Sequence, residues 1–576
     1  MSSIYAFVSN KTDKIIILFL MLVFIPALFI NFDSHHDGLI LTTVKLTENA
    51  INQGGSYPFN QYGPFWALPF VWVANLAPDN ATFLLIRVLT LLFYFVSTFL
   101  LWKISREFLS MKKSNLVLIL FLCSQPFNTD LGSGLVPWPS AVAMILTLMV
   151  SYLMLKIIDT NGDNLKRNIF MYFIGLIIPL VLTSRFQVGT LIILSVFYIT
   201  IKARLSRSIV YLLSGLITTS AVFLLYLSHL NWLQDSLFDL FTYGSTYLSG
   251  DKSTYPLPVF TIIGTITFIV LMLFGPKFLR HIFILNFSNK IIIITLSITL
   301  IIIAFLLMMS YREISILNTG IYSIRRFWIT LSLACLTLAT IAILLNTKFQ
   351  LLNNTVSSAP LKYKALTFFA ISMQSQIFPL FDQMHFWWGS PLVFILVLVV
   401  VLERFGTIYS KISRSFPLKT VTLSILIMSV VIPFSAMVNK EKVSFPPELV
   451  KYLYVDIPYF EYQDDLQSFF NKNIKSGSRV LNLCEDSDIF FQSKKFIPAS
   501  RFFVYWGKPM SSLTAIENSL INSRPDVIVT CQLLHRPTIR NLEENLQKSL
   551  VDKIYTSDRE PIHFMGDKEW TIYLNN

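Results

Sequence analysis

Two carboxylates and two histidines crowd into the run Asp33-Ser34-His35-His36-Asp37, with Gly38 behind them. The run follows directly on a block of apolar residues that ends near residue 30. A carboxylate at such a boundary has apolar packing beside it, and its surroundings then set its protonation state, which is what a general base requires. In an ordinary polar loop the same residues are a solvated entry to a turn at Gly38, and the residues alone leave both readings open. Another carboxylate, Asp130, stands among small residues in Phe127-Asn128-Thr129-Asp130-Leu131-Gly132-Ser133-Gly134. Asp382 precedes His385 by three positions in a stretch broken by Pro379, so on a helical turn the two side chains share a face. That pair is a candidate for a divalent metal or a hydroxyl-rich group; no other cluster has ligand spacing, and no cofactor follows with certainty. Trp232, Asp235, Asp239, Tyr243, Tyr247 and Tyr255 mix rings with acids. Sugar sites have that composition, and so does the aromatic belt at any membrane surface.

The elements that must position these residues are membrane helices. Of the 576 residues 54% are hydrophobic and 14% charged, against about a quarter charged in soluble domains, and the mean hydropathy is +0.61. The apolar residues fall in repeated long blocks, which describes a polytopic α-helical membrane protein of about 13 transmembrane helices. The spans run approximately 14–30, 81–102, 115–126, 138–157, 169–183, 188–201, 209–228, 259–274, 291–310, 328–345, 365–380, 391–402 and 420–436. The blocks 115–126 and 188–201 are short for a crossing. The first block lacks a small-residue cleavage site and reads as a retained span.

The net charge of +13 suggests a nucleic-acid partner only until the charges are placed. Residues 437–576 hold 17 of the 46 Lys and Arg and 18 of the 33 Asp and Glu, nearly balanced. With the N-terminus in the cytoplasm and spans alternating, inside segments collect 22 basic residues. The outside loops before residue 437 collect six: Lys45, Arg185, Lys252, Arg312, Arg325 and Arg326. The excess inside is what the positive-inside rule requires, so the basic residues set topology and no nucleic acid is expected. The chain then divides into a membrane domain, 1–436, with a long first outer loop at 31–80, and a soluble extracytoplasmic domain, 437–576, in a multi-pass protein of the cytoplasmic membrane. Acidic residues lean outward, ten against five. Since carboxylates hardly influence topology, part of that excess fits an outer site that needs acids. Cys484 and Cys531 are candidates for one disulfide if the tail is extracytoplasmic.

These features together resemble the GT-C glycosyltransferases, enzymes that use polyprenyl-phosphate-linked sugars, among them the aminoarabinose lipid A transferase and the protein O-mannosyltransferases. The resemblance rests on His36-Asp37-Gly38, Tyr62-Gly63-Pro64, the loop from Trp232 through Asp239 to Tyr255-Pro256, and Gln376-x-x-Pro379-x-x-Asp382-x-x-His385. It covers about the first 440 residues, and the order of the elements carries more of it than any single one. It implies a GT-C fold, a polyprenyl-phosphate sugar donor, a lipid, glycan or protein acceptor, and inversion at the transferred sugar. By the same resemblance Asp37 is the general base and Asp130 the second-loop acid, with His35, His36, Tyr62, Asp382 and His385 toward substrate. Many relatives carry Glu directly after the first-loop Asp; here Gly38 follows, which leaves Asp33 as a rival base. A departing phosphate calls for cations, and among the outer ones Arg185, Arg325 and Arg326 are candidates to grip it by paired hydrogen bonds. Arg325 and Arg326 also read as side chains snorkelling to head groups.

In the tail, 479–484, 526–531 and 570–574 read as strands and 515–522 and 541–551 as helices, a small α/β domain without a nucleotide-binding glycine motif. Two other functions compete with the transferase. A transporter or flippase of lipid-linked glycans predicts internal repeats and mid-span charge, yet no repeat is visible and Arg87 is almost alone inside a span. An O-antigen polymerase or ligase predicts a large outer loop in place of a soluble tail. Asp37→Asn is expected to abolish transfer while leaving the fold intact.

Overall fold

The computed structural model describes residues 25, 28–29, 36–58, 60, 63, 65–78, 81–123, 135, 137–160, 164–240, 359–377, 383–396, 398–399, 441–442, 454–455, 461–484, 490–491, 495–501, 520, 524–533, 548, 551–555, 560–565 and 568–575. The expected first loop, 31–80, contains two helices, α1 (His36–Gln53) and α2 (Leu68–Leu76). Then come α3 (Thr82–Ser105), α4 (Met111–Cys123), α5 (Pro139–Asp159), α6 (Asn164–Leu182), α7 (Phe186–Lys202), α8 (Ile209–His229) and the short α9 (Leu233–Phe238). Further on lie α10 (Ala359–Gln374) and α11 (Gln383–Gly389).

Among the described residues four helices are long and apolar enough to cross a membrane: α3, α5, α6, and α8 with the single 3-10 turn before it. They coincide with the expected spans 81–102, 138–157, 169–183 and 209–228. The two short blocks are short helices, α4 with 13 residues and α7 with 17. The expected spans 259–274, 291–310, 328–345 and 420–436 lie outside the described residues, as does nearly all of 14–30. The expected span 365–380 needs correction: α10 begins at Ala359, and Pro360 sits in its first turn, where a missing N–H costs nothing. Lys362 and Lys364, read as loop residues, belong to the first two turns of α10.

The outer surface of α8 is what lipid demands. Val210, Ile217, Val222 and Leu225 are 63–70% exposed on one helix, an apolar surface that water would not tolerate on a monomer. The opposite side of α8 meets α6 at an extremely close crossing. A Cβ on Gly175 would lie 2.1 Å from the Leu212 carbonyl oxygen, and one on Gly215 2.2 Å from the Tyr172 carbonyl oxygen. Backbones approach this closely in membranes only over small residues. Ser208 donates to Asn168 at 2.9 Å, forty positions apart like Gly175 and Gly215, so the two helices run parallel and finish on the same face.

Beyond the opposite ends of the helices, three segments converge on Glu107. Its carboxylate accepts from Lys156 of α5 at 2.6 Å and from Lys362 of α10 at 2.9 Å, and Lys362 also pairs with Asp159. Burial pushes the Glu107 carboxyl up, but the two ammonium groups outweigh it and hold the group below its ordinary range. All four residues were assigned to one side by charge, and the structure gathers them at one end of the bundle.

The C-terminal region is a mixed five-stranded sheet in the order β4-β3-β5-β7-β6, after a two-stranded ribbon of β1 (Glu441–Lys442) and β2 (Tyr454–Val455). Its strands are β3 (Arg479–Asn482), β4 (Ile497–Pro498), β5 (Val527–Leu533), β6 (Ile562–Met565) and β7 (Lys568–Leu574). β3 runs parallel to β4 and β5, while β5–β7 and β6–β7 are antiparallel. The helix α12 (Glu461–Asn473), absent from the sequence reading, covers the sheet through Phe470, which stacks on Phe490 at 4.0 Å. Most of the expected helices 515–522 and 541–551 lies outside the described residues. Cys484, just past β3, and Cys531 on neighbouring β5 form a disulfide with Cα atoms 5.4 Å apart.

Candidate active site

Asp37 lies in the first turn of α1, where the positive end of the helix dipole favours a carboxylate. Its side chain is wholly buried against Arg87 of α3, with Oδ2 accepting from Nη2 at 2.9 Å. A second guanidinium nitrogen donates to the Leu28 carbonyl at 3.1 Å, and the group lies over the Phe83 ring at 4.4 Å. Arg87 thus ties the start of α1 and the chain before it to one point on α3. Sequence reasoning noticed Arg87 without giving it a role, although a lone arginine inside an apolar span was the signal: such a charge almost always has a partner.

Lys45, counted only as an outer cation, is enclosed. It is buried on α1 and donates to Glu48 at 3.0 Å. Elsewhere on this buried helix Thr43 and Thr47 donate to carbonyls one turn back, which satisfies their hydroxyls without water.

Arg185 stands in the break between α6 and α7, in extended backbone at the start of α7. Its Nε donates to Ser140 Oγ at 2.8 Å, and Ser140 is in the first turn of α5. The guanidinium therefore sits where two helix N-termini meet, a concentration of positive potential suited to an anion. His385 of α11 lies against the same end of α5: it is buried, with its ring edge-on to Trp138 at 6.5 Å and to Trp388 at 5.5 Å. Trp388 in turn donates to the Tyr94 hydroxyl at 3.1 Å, two helical turns beyond Arg87 on α3. Arg185 and His385 are thus both set against the start of α5, and Trp388 carries that packing to the middle of α3.

Of the Tyr62-Gly63-Pro64 element only Gly63 is described, and it brings the first loop close to this region. Gly63 has φ +88, and a Cβ there would lie 2.8 Å from the Thr183 carbonyl oxygen, two residues before Arg185. Gly54 has φ +70 with nothing within 4 Å of its missing Cβ. Gly63→Ala is therefore expected to lower the thermal midpoint in detergent clearly more than Gly54→Ala. Both substitutions carry the left-handed backbone cost of about 1–2 kcal/mol, and only Gly63 adds the collision; equal shifts would mean that the contact with Thr183 contributes nothing.

Of the rings and acids after α8, Tyr243, Tyr247 and Tyr255 lie outside the described residues, while Trp232 and Asp239 are enclosed. Trp232 is buried, donates to the Gly55 carbonyl at 3.0 Å and packs on Tyr57 at 5.3 Å. Asp239 is also buried: its two oxygens accept from Arg501 at 2.8 and 3.1 Å, and Oδ2 accepts the Asn60 N–H at 3.0 Å. Asp235 lies 3.5 Å from the same guanidinium. Burial pushes the Asp239 carboxyl above its ordinary value against the pull of Arg501, and the two carboxylates raise Arg501 despite its burial. Tyr57, enclosed beside Asp239, is pushed well up by burial.

His36 begins α1. Asp33, His35, Tyr62, Asp130, Arg325, Arg326 and Asp382 lie outside the described residues. Among the described residues no three His, Cys, Asp or Glu side chains gather as metal ligands.

No family model matches the chain, and no curated protein matches it in sequence. The course of the chain is similar to that of solved glycosyltransferases of the GT-C kind. One is the oligosaccharyltransferase of Archaeoglobus fulgidus, in the apo form, at TM-score 0.47 and 9% identity over 90% of this chain and 69% of that one. The archaeal enzyme in complex with an inhibitory peptide and a dolichol-phosphate matches at 0.47 and 10%, with the same coverage. Another is ArnT from Cupriavidus metallidurans bound to undecaprenyl phosphate, at 0.41 and 10% over 99% of this chain and 98% of that one. At these values the likeness is one of chain course, and it says nothing of substrate.

Proposed function

We propose that the protein is an inverting membrane glycosyltransferase that moves a sugar from a polyprenyl phosphate to a lipid, glycan or protein acceptor on the extracytoplasmic side. The observation that carries this reading is the buried Asp37–Arg87 pair. Two charges inside an apolar body cost more than two apolar residues would, so their presence there marks a functional position. In the reaction, Asp37 takes the proton of the acceptor hydroxyl or amine as that atom bonds to the anomeric carbon. The bond from that carbon to the phosphate oxygen breaks at the same step, and the configuration inverts. Arg185, held by Ser140 at the paired helix starts, takes up the charge of the departing phosphate.

Arg325 and Arg326 are further candidates for that phosphate, Asp33 is the rival base, and Asp130 is the second acid. His35, His36, Tyr62, Asp382 and His385 are the candidate substrate-binding residues in this reading, with a divalent metal as an alternative ligand for the last two. The disulfide supports an oxidising compartment for the tail. Charge placement disfavours the transporter: the groups described here gather at the two ends of the helices rather than along a path between them.

The decisive experiment incubates the purified chain in nanodiscs with a polyprenyl-phosphate sugar and follows sugar transfer. Envelope glycans of a strain lacking the gene are compared by mass spectrometry. Transfer in vitro and one missing sugar in vivo support the reading; an unchanged glycan set with no transfer ends it. Arg185→Ala is expected to raise the donor KM by about tenfold or more, as loss of a charged hydrogen bond does, with little change for the acceptor. An unchanged donor KM returns Arg185 to a structural part in the α6–α7 break.

A further inference from the structure

Arg501 follows β4 in the C-terminal domain, 262 positions from the acid it grips. Its guanidinium holds both oxygens of Asp239, a side chain with no exposed surface. Bidentate contact of this kind fixes orientation as well as distance, because the planar fork matches the carboxylate in only one arrangement. Asp239 passes that constraint on. Its Oδ2 accepts the Asn60 N–H at 3.0 Å. Asn60 in turn accepts Trp66 Nε1 on its side chain at 2.9 Å and the Gly63 N–H on its carbonyl at 3.1 Å. Gly63 presses on the Thr183 carbonyl, two residues before Arg185. A continuous series of contacts thus runs from the soluble domain, through one buried carboxylate and the turn at Asn60–Gly63, to the break that carries Arg185.

We propose that Arg501 is a positioning residue, which clamps Asp239 so as to set the Asn60–Gly63 turn of the first outer loop and the α6–α7 break behind it. A buried ion pair is an expensive way to attach a domain, since apolar contacts hold as well at lower cost. What it adds is a single register, and the register is what a turn packed against a site residue needs. The C-terminal domain is then part of the site's framework, and its detachment releases the first loop. The consequence for activity rests on the transferase reading above; the structural consequence does not.

The test uses the full chain in nanodiscs, as wild type, Arg501→Ala and Arg501→Lys, and measures amide hydrogen exchange by mass spectrometry. Arg501→Ala is expected to speed exchange of the peptides covering 57–66 and 183–190 by roughly tenfold, while β5 and β7 keep their protection. Arg501→Lys, which restores the charge without the fork, is expected to fall between the two. In the transfer assay the same series is expected to raise the donor KM by a larger factor than it lowers kcat. Unchanged exchange at 57–66 in Arg501→Ala overturns the proposal. Equal loss of protection in β5 and β7 also overturns it, since that is the mark of a general staple. If Arg501→Ala does not fold, Arg501→Lys decides by the same two peptides. Should the wild type transfer no sugar, the transferase reading falls while the exchange results still judge the clamp.

Discussion

Asp37→Asn is expected to lower sugar transfer by about 10²–10⁴-fold, the usual contribution of a positioned general base. The structure changes what must be measured beside it. The fold was expected to be indifferent to this substitution, but Asn takes away the charge that Asp37 sets against the buried Arg87 guanidinium, and breaking a buried pair from one side costs about 3–5 kcal/mol in other proteins. Loss of activity in the single variant would therefore mix chemistry with stability. The double variant Asp37→Asn with Arg87→Gln separates them, because it removes both charges and keeps side chains of similar size. Its thermal midpoint is expected to return most of the way to wild type, with transfer still lost. Recovery of transfer in the double variant would mean that the pair only holds α1 to α3. Retained transfer in the single variant would move the base to Asp33 or end the enzyme reading.

The second large effect is expected at the α6–α8 crossing. Gly175→Ala or Gly215→Ala places a methyl carbon about 2 Å from a backbone carbonyl oxygen of the facing helix, and neither backbone can rotate aside as a side chain can. The helices must separate, at or beyond the upper end of the roughly 1–3 kcal/mol typical of overpacking. Because the helices are parallel, both lead from the crossing to the same face: Arg185 follows α6, and Trp232 and Asp239 follow α8. Thermal melts and the donor KM are expected to change together, and the double variant is expected to cost less than the sum, since both sites open the same crossing. A midpoint within experimental error of wild type for either alanine would show that the helices do not meet as closely as described.

Legibility followed the range of each interaction. The start of α1 beside Asp37 was readable because an acid beside an apolar boundary is a local signal. Strands β3, β5 and β7 were readable because runs such as Val527-Ile528-Val529 are buried on both faces. Helix α12 was missed: Glu461-Tyr462-Gln463-Asp464-Asp465 reads as polar chain, and only the sheet explains why Phe470 is turned inward. Of the ring-and-acid loop after α8, the described Trp232 and Asp239 are buried, against the first loop and Arg501, because which side of a short helix is covered depends on a domain far along the chain. The close crossing of Gly175 and Gly215 had no visible signature either, since two isolated glycines on different helices state nothing about each other.

By itself, the sequence determined the quantities that a bilayer reads one segment at a time: which stretches are apolar, how long they are, and on which end their lysines and arginines lie. Partitioning into lipid depends on local composition, so composition is enough to find the spans and their alternation. Only the tertiary structure decided the partners. Asp37 and Arg87 are 50 positions apart and Asp239 and Arg501 are 262 apart; each pair exists because packing removes both charges from water, and a charge so buried is held only by the group that packing sets against it.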